Sequence, residues 1–213
     1  MTATVPVPDK SPGDLLTTTL WNTYVAANLN KLLNQGHRKV TVAQFAALTG
    51  IEDGDEVYLE VDGASGIEWH LVYRSAEATY KWRFLGGPPM KSEVMTYETT
   101  ASTAFAALAT AGPSIALPRA GDYDVRVASN LRNDTDTRYT THSYDIGVTG
   151  ASDDDSATYT RGTGLSAASV AADRRKTGLT AVSLVSKYRV NAGTGTAGLR
   201  RLIVQPVRLR HDA

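Results

Sequence analysis

Tyr123-Asp124-Val125-Arg126-Val127-Ala128 and, near the end of the chain, Leu202-Ile203-Val204-Gln205-Pro206-Val207-Arg208-Leu209 alternate apolar with polar residues. A period of two marks a strand with one face in a core and the other in water. Pro206 has no amide hydrogen to give a ladder, so it puts the last strand at an edge or at a bulge. Working outward, strand-sized segments punctuated by Gly, Asn and Asp recur at 93–99, 114–117, 123–130, 139–148, 157–161, 166–171, 181–190 and 198–209. Short strands in that rhythm predict an antiparallel β-sandwich, jelly-roll-like in pattern, over residues 88–213. Residues 103–109 are helix-compatible through their alanines, although an extended path is equally open to them.

Upstream, Gly86-Gly87-Pro88-Pro89 sets two permissive residues before two rigid ones and marks a domain boundary. Before it, runs at 56–61, 67–73 and 80–84 carry Tyr58, Trp69, Tyr73, Tyr80, Trp82 and Phe84, mostly at alternate positions. They predict a small, aromatic-rich, three-stranded β-meander within residues 37–87, with too little core to stand alone. Thr41 followed by Gln44 offers a capping box for a short helical turn through Leu48, and Glu52-Asp53-Gly54-Asp55 signals a turn.

Residues 1–36 differ in kind. Pro6, Pro8, Pro12 and Gly13 argue for an extended arm, after which 19–34 read as an amphipathic helix ending near Gly36. Trp21, Val25, Asn28 and Leu32 follow the four-three spacing of a coiled-coil seam, and Tyr24, Leu29 and Leu33 widen the apolar face. A helix this short is marginal alone, so the stripe must meet either its own copies or the segment behind it. Asn28 suits a register-fixing seam position, and it suits equally an asparagine hydrogen-bonded inside an intrachain core. The fold class expected is therefore mainly β: an N-terminal arm and amphipathic helix, a small three-stranded meander and a C-terminal antiparallel sandwich, jelly-roll-like in pattern.

Composition narrows the function. The 213 residues are 42% hydrophobic, with 22 basic and 22 acidic side chains and no cysteine. Balanced charge lacks the footprint of a nucleic-acid binder or a membrane-surface protein, and disulfides and thiolate metal sites are excluded. Residues 1–87 hold 7 Lys/Arg against 10 Asp/Glu, too small an asymmetry to name a partner. No apolar run approaches a membrane span, and the N-terminus lacks signal-peptide character, so synthesis in the cytosol without membrane insertion is expected.

The catalytic inventory is thin. His37, His70, His142 and His211 form no i, i+4 pair, and neither a nucleophile elbow nor a phosphate-binding glycine loop occurs. Ser65 and Ser166 read as turn serines. Asp153-Asp154-Asp155, with Asp134 and Asp136, could gather around a calcium ion, but the spacing matches no EF-hand and solvated loop tips explain it better. Arg174-Arg175-Lys176 and Arg200-Arg201 read as exposed strand and turn residues. Glu68 and His70 share a strand face, which is a structural consequence of alternation before it is a catalytic dyad. Neither an enzymatic activity nor a cofactor or metal is expected; a depolymerase would need a cleft with paired carboxylates.

Trp21-Asn22-Thr23-Tyr24-Val25, Asn28-Leu29-Asn30, Asp53-Gly54-Asp55-Glu56-Val57-Tyr58-Leu59, Ile67-Glu68-Trp69-His70-Leu71-Val72-Tyr73 and Trp82-Arg83-Phe84-Leu85-Gly86-Gly87-Pro88 occur in that order. Over about residues 15–90 the chain resembles the N-terminal module of small virion proteins of actinobacterial tailed bacteriophages, described as minor tail, fibre or head-fibre proteins. Residues 91–213 resemble the trimeric jelly-roll tips of such fibres in general strand pattern, including Gly121-Asp122-Tyr123 leading a strand and 201–208 near the end. The resemblance implies a homotrimer located in the virion and attached to capsid, tail or baseplate proteins through the N-terminal region. Trp21, Tyr24, Val25, Asn28, Leu29, Leu32 and Leu33 would supply the trimer or attachment interface. A receptor- or carbohydrate-binding module, with a host cell-surface glycan as partner, is the alternative.

Overall fold

The computed structural model describes residues 38–163 and 167–211. The expected arm and helix, with Trp21, Tyr24, Val25, Asn28, Leu29, Leu32 and Leu33, lie outside the described residues, as do His37 and Ser166. The chain divides into two compact units, one holding residues 38–87 with His211 and the other Pro88–Arg210. The described elements are mainly strands, with one short α-helix.

In the first unit, β1 (Lys39–Thr41) runs directly into α1 (Val42–Ala46). Thr41 makes that change of period possible. Its hydroxyl accepts from the Gln44 amide at 3.3 Å, and the Gln44 side chain accepts from the Thr41 amide at 2.9 Å, closing the capping box. β2 (Glu56–Asp62), β3 (Ile67–Tyr73) and β4 (Trp82–Gly86) form the antiparallel meander, and β1 adds to β2 in parallel. Alternation turns Val57, Leu59, Trp69 and Leu71 into the core. Trp82 lies 5.3 Å from both Phe45 and Tyr73, while Trp69 meets Phe84 edge-on at 6.5 Å. Gly87 closes the unit at φ 129°, where a Cβ would collide with the Glu68 carbonyl oxygen.

In the second unit, β8 (Gly121–Asn133) lies between β11 (Ala168–Leu179) and β13 (Gly195–Leu209). β5 (Met90–Val94) and β6 (Glu98–Thr100) both pair with β13. The facing sheet has the order β10 (Ala157–Thr160), β9 (Tyr139–Ile146), β12 (Ser183–Val190), β7 (Ser114–Ala116). Every strand pairing among the described residues of this unit is antiparallel, giving a jelly-roll-like β-sandwich. Odd-numbered residues of β8, Tyr123, Val125, Val127 and Leu131, face inward, against Tyr144, Leu184 and Tyr188 of the second sheet.

Three details change or decide the sequence reading. The expected strand 93–99 breaks at Met95–Tyr97 into β5 and β6. Of the two paths open to residues 103–109 the chain takes the extended one, with Ala106 making an isolated bridge to Tyr188. β11 continues through Arg174-Arg175-Lys176, because each charge there finds a partner across the strands or in the loop beside it. Pro206 does sit at a bulge, between Pro206 and Arg208, inside a strand that is paired on both sides.

Trp69 is fully buried, so Trp69→Ala should destabilise the chain by ~3–5 kcal/mol. Urea denaturation followed by fluorescence would measure this, and a midpoint shift near zero would contradict the packing described.

Candidate functional site

The sandwich core contains polar chemistry where apolar packing would be expected. Ser129, His142, Ser186 and Arg200 are buried together with the ring of Tyr188. Alternation points Ser129 inward from β8, His142 from β9 and Ser186 and Tyr188 from β12. The Ser129 hydroxyl lies 2.6 Å from His142 Nδ1, the Ser186 hydroxyl 3.0 Å from Nε2, and the imidazole stacks on Tyr188 at 4.6 Å. Burial, with the Arg200 charge nearby, lowers the His142 pKa to about 3. A neutral ring with one N–H satisfies one hydroxyl as donor and the other as acceptor. A serine beside a histidine is the usual beginning of nucleophilic catalysis, but these groups are sealed from solvent and carry no carboxylate on the ring. The arrangement orders the core.

Arg200 enters that core through a bulge. On β13, Gly195 and Ala197 face inward at odd positions, whereas Arg200, Leu202 and Val204 face inward at even ones. The switch occurs between Gly198, opposite Asn130, and Arg201, opposite Ala128, where Leu199 adopts φ 49°. Arg200, with no exposed surface, packs over Tyr188 at 5.5 Å and pairs with Glu98 at 3.0 Å. Glu98 also accepts from the Thr110 hydroxyl at 2.5 Å and from its amide at 2.9 Å; the hydroxyl bond above all holds the carboxyl below its ordinary pKa.

Glu98 faces inward, so its neighbour Tyr97 faces out. The Tyr97 ring lies over Gly198, and a Cβ there would sit inside the ring's van der Waals envelope. That Cβ would be almost equally close to three successive ring atoms, which places a ring face over the glycine. Tyr97 remains 53% exposed, making it an aromatic surface pinned from below. The exposed sheet face beside it carries cross-strand ion pairs: Arg201 with Glu93 at 2.5 Å, Arg175 with Asp124 at 2.8 Å and Arg126 with Asp173 at 3.9 Å.

No protein-family model and no curated protein matches the chain. Among solved structures, the Eiger TNF of S. frugiperda is 12% identical, covering 59% of this chain and 95% of that one, with a TM-score of 0.39. A structure of infectious bursal disease virus, Gx strain, is 9% identical over 67% of this chain and 44% of that one, with a TM-score of 0.34. The CBM22-1–GH10 modules of Clostridium thermocellum xylanase 10B, complexed with xylohexaose, are 10% identical over 73% and 26%, with a TM-score of 0.28. Likenesses this distant carry no argument about function.

The other sequence candidates resolve into local structure. His70 pairs with Glu56 at 2.8 Å and stacks on Tyr58 at 4.5 Å, whereas Glu68 pairs with Lys39; Glu68 and His70 thus serve different partners. Ser65 donates to Asp62 at 2.8 Å within a turn. Asp153 pairs with Arg189 at 2.6 Å, Asp155 with Lys176 at 2.5 Å, Asp136 with Arg161 at 2.7 Å, and Asp134 accepts from the Thr194 amide at 2.8 Å. No group of three or more His, Cys, Asp or Glu able to hold a metal occurs among the described residues. His211 packs edge-on against Trp82 at 6.2 Å. Among the described residues, no helix is long and apolar enough to cross a membrane.

Because the folded-state pKa of His142 is depressed from 6.5 to about 3, the unfolded chain binds the extra proton between these values. This residue therefore adds a loss of stability that begins as pH falls below about 6.5 and continues toward about 3. His142→Gln should flatten that part of the profile when melting temperature is measured across the window. An unchanged slope would mean that His142 is not buried neutral.

Proposed function

We propose that the chain is a structural component of a bacteriophage virion, a homotrimeric fibre or spike fixed to capsid, tail or baseplate proteins through its N-terminal region. The observation that carries the oligomeric part of this reading is the open edge of β11. That strand is 12 residues long, and among the described residues its ladder partner is β8 alone. At ~3.3 Å per residue it offers roughly 40 Å of unpaired backbone. Natural proteins cover such edges or guard them with charge. Asp173 to Lys176 guard the second half, but Ala168-Ser169-Val170-Ala171-Ala172 carries no charge. Packing against neighbouring copies in a closed ring would cover that segment, and the seam of Trp21, Val25, Asn28 and Leu32 would add a second interface. The likeness of residues 15–90 to phage virion modules supports the same assignment.

Static light scattering should give about three times the 22.8 kDa chain mass; a stable monomer would refute the trimer. Replacing Trp21 and Leu32 together with Asp should abolish incorporation into particles while the C-terminal domain keeps its circular dichroism. Normal incorporation would remove the anchoring role.

A second reading, adsorption to a host-surface glycan, is favoured by Tyr97, since a large exposed ring held rigidly on a sheet face is more than a solvated loop residue. The two roles are compatible in one fibre.

A further inference from the structure

We propose that Tyr97 and Arg132 form a binding site for an acidic sugar, in which a pyranose ring stacks on the exposed face of Tyr97 and its carboxylate pairs with the Arg132 guanidinium.

The site follows from the register of the outer face of the β8–β13 pair. Gly198 lies opposite Asn130 and Thr196 opposite Arg132, so Arg132 is the diagonal neighbour of the glycine under the Tyr97 ring. Diagonal neighbours on a sheet are ~7–8 Å apart, within joint reach of one sugar unit. Asn130, directly opposite Gly198 and two residues from Arg132 on β8, donates its amide to Ser169 at 3.5 Å and brings polar groups to the sugar's rim.

Charge matching decides the ligand's sign. Elsewhere on this face Arg201, Arg175 and Arg126 are each met by a carboxylate. Arg132 is exposed and makes no ion pair or side-chain hydrogen bond among the described residues. A guanidinium presents a planar fork that fits a carboxylate bidentately. Binding needs little reorganisation, because the ring is already fixed between Gly198 below and the anchored Glu98 beside it. A neutral sugar would use Tyr97 and leave Arg132 unmatched, so a preference for the acid is the distinguishing property of this site.

This inference rests on the adsorption reading and can fail separately from it. The full-length chain is titrated calorimetrically with tetragalacturonate and with its methyl ester, whose carboxylates are masked. The wild type should bind the acid and prefer it to the ester. Tyr97→Ala should weaken binding of the acid about tenfold. Arg132→Gln should abolish the preference for acid over ester, with melting temperature unchanged in both variants. Absence of binding to the acid, or binding that neither substitution alters, overturns the site. A Tyr97→Ala variant that changes the mass of the assembly without changing sugar binding also overturns it, making Tyr97 an interface residue. Host-cell adsorption by the wild type, measured in parallel, reports on the adsorption reading itself: adsorption that survives both substitutions leaves that reading standing without this site.

Discussion

A permanent positive charge inside a β-sandwich is the constraint around which the second unit is arranged. Arg200 cannot shed its proton, and burying it unpaired would be more costly than any single apolar contact could repair. Glu98 must therefore approach from the neighbouring strand, Thr110 must hold Glu98 in place, and Tyr188 must offer its ring face. His142 stays neutral in that field, with Ser129 and Ser186 completing its hydrogen bonds. One residue thus couples the short β6 strand, the 110 region and both sheets of the sandwich.

The strand pattern was legible because burial follows alternation wherever a strand keeps its parity. β8 does so from Tyr123 to Asn133, and the hexapeptide beginning at Tyr123 could be read at sight. β13 loses parity twice, at Gly198–Arg201 and at Pro206–Arg208. Proline announces the second shift through its missing donor. The first has a weaker mark: a glycine followed by a leucine in the left-handed region, which no propensity favours. That is why Arg200 read as an exposed twin of Arg201 when the two face opposite sides. Arg174-Arg175-Lys176 are indeed strand residues, with Arg174 and Arg175 exposed, but the sequence pattern ends that strand at Ala171, since a charge cluster looks like a turn until its cross-strand partners are known.

In the first unit local signals agreed with the fold. The capping box of Thr41 and Gln44 and the alternating aromatics of 56–84 carry their own instructions, because a cap is satisfied within four residues and a meander within one turn. The site around Tyr97 lacked any such signal. Its geometry depends on Gly198, a hundred residues later in the chain, having no side chain where the ring must lie.

Stability alone does not account for the Arg200–Glu98 pair. Replacing a buried ion pair by well-packed apolar residues is often neutral or stabilising, and the bulge that admits Arg200 adds a strained residue at Leu199. What the pair does secure is position. β6 is three residues long and makes few ladder bonds, so by itself it would hold the Met95–Tyr97 segment loosely. Anchoring Glu98 into the core fixes the backbone one residue from Tyr97, and Gly198, where the same bulge begins, receives its ring. An expensive buried charge and an exposed aromatic surface are therefore two faces of a single device, and the outward face is where a role in recognition would be exercised.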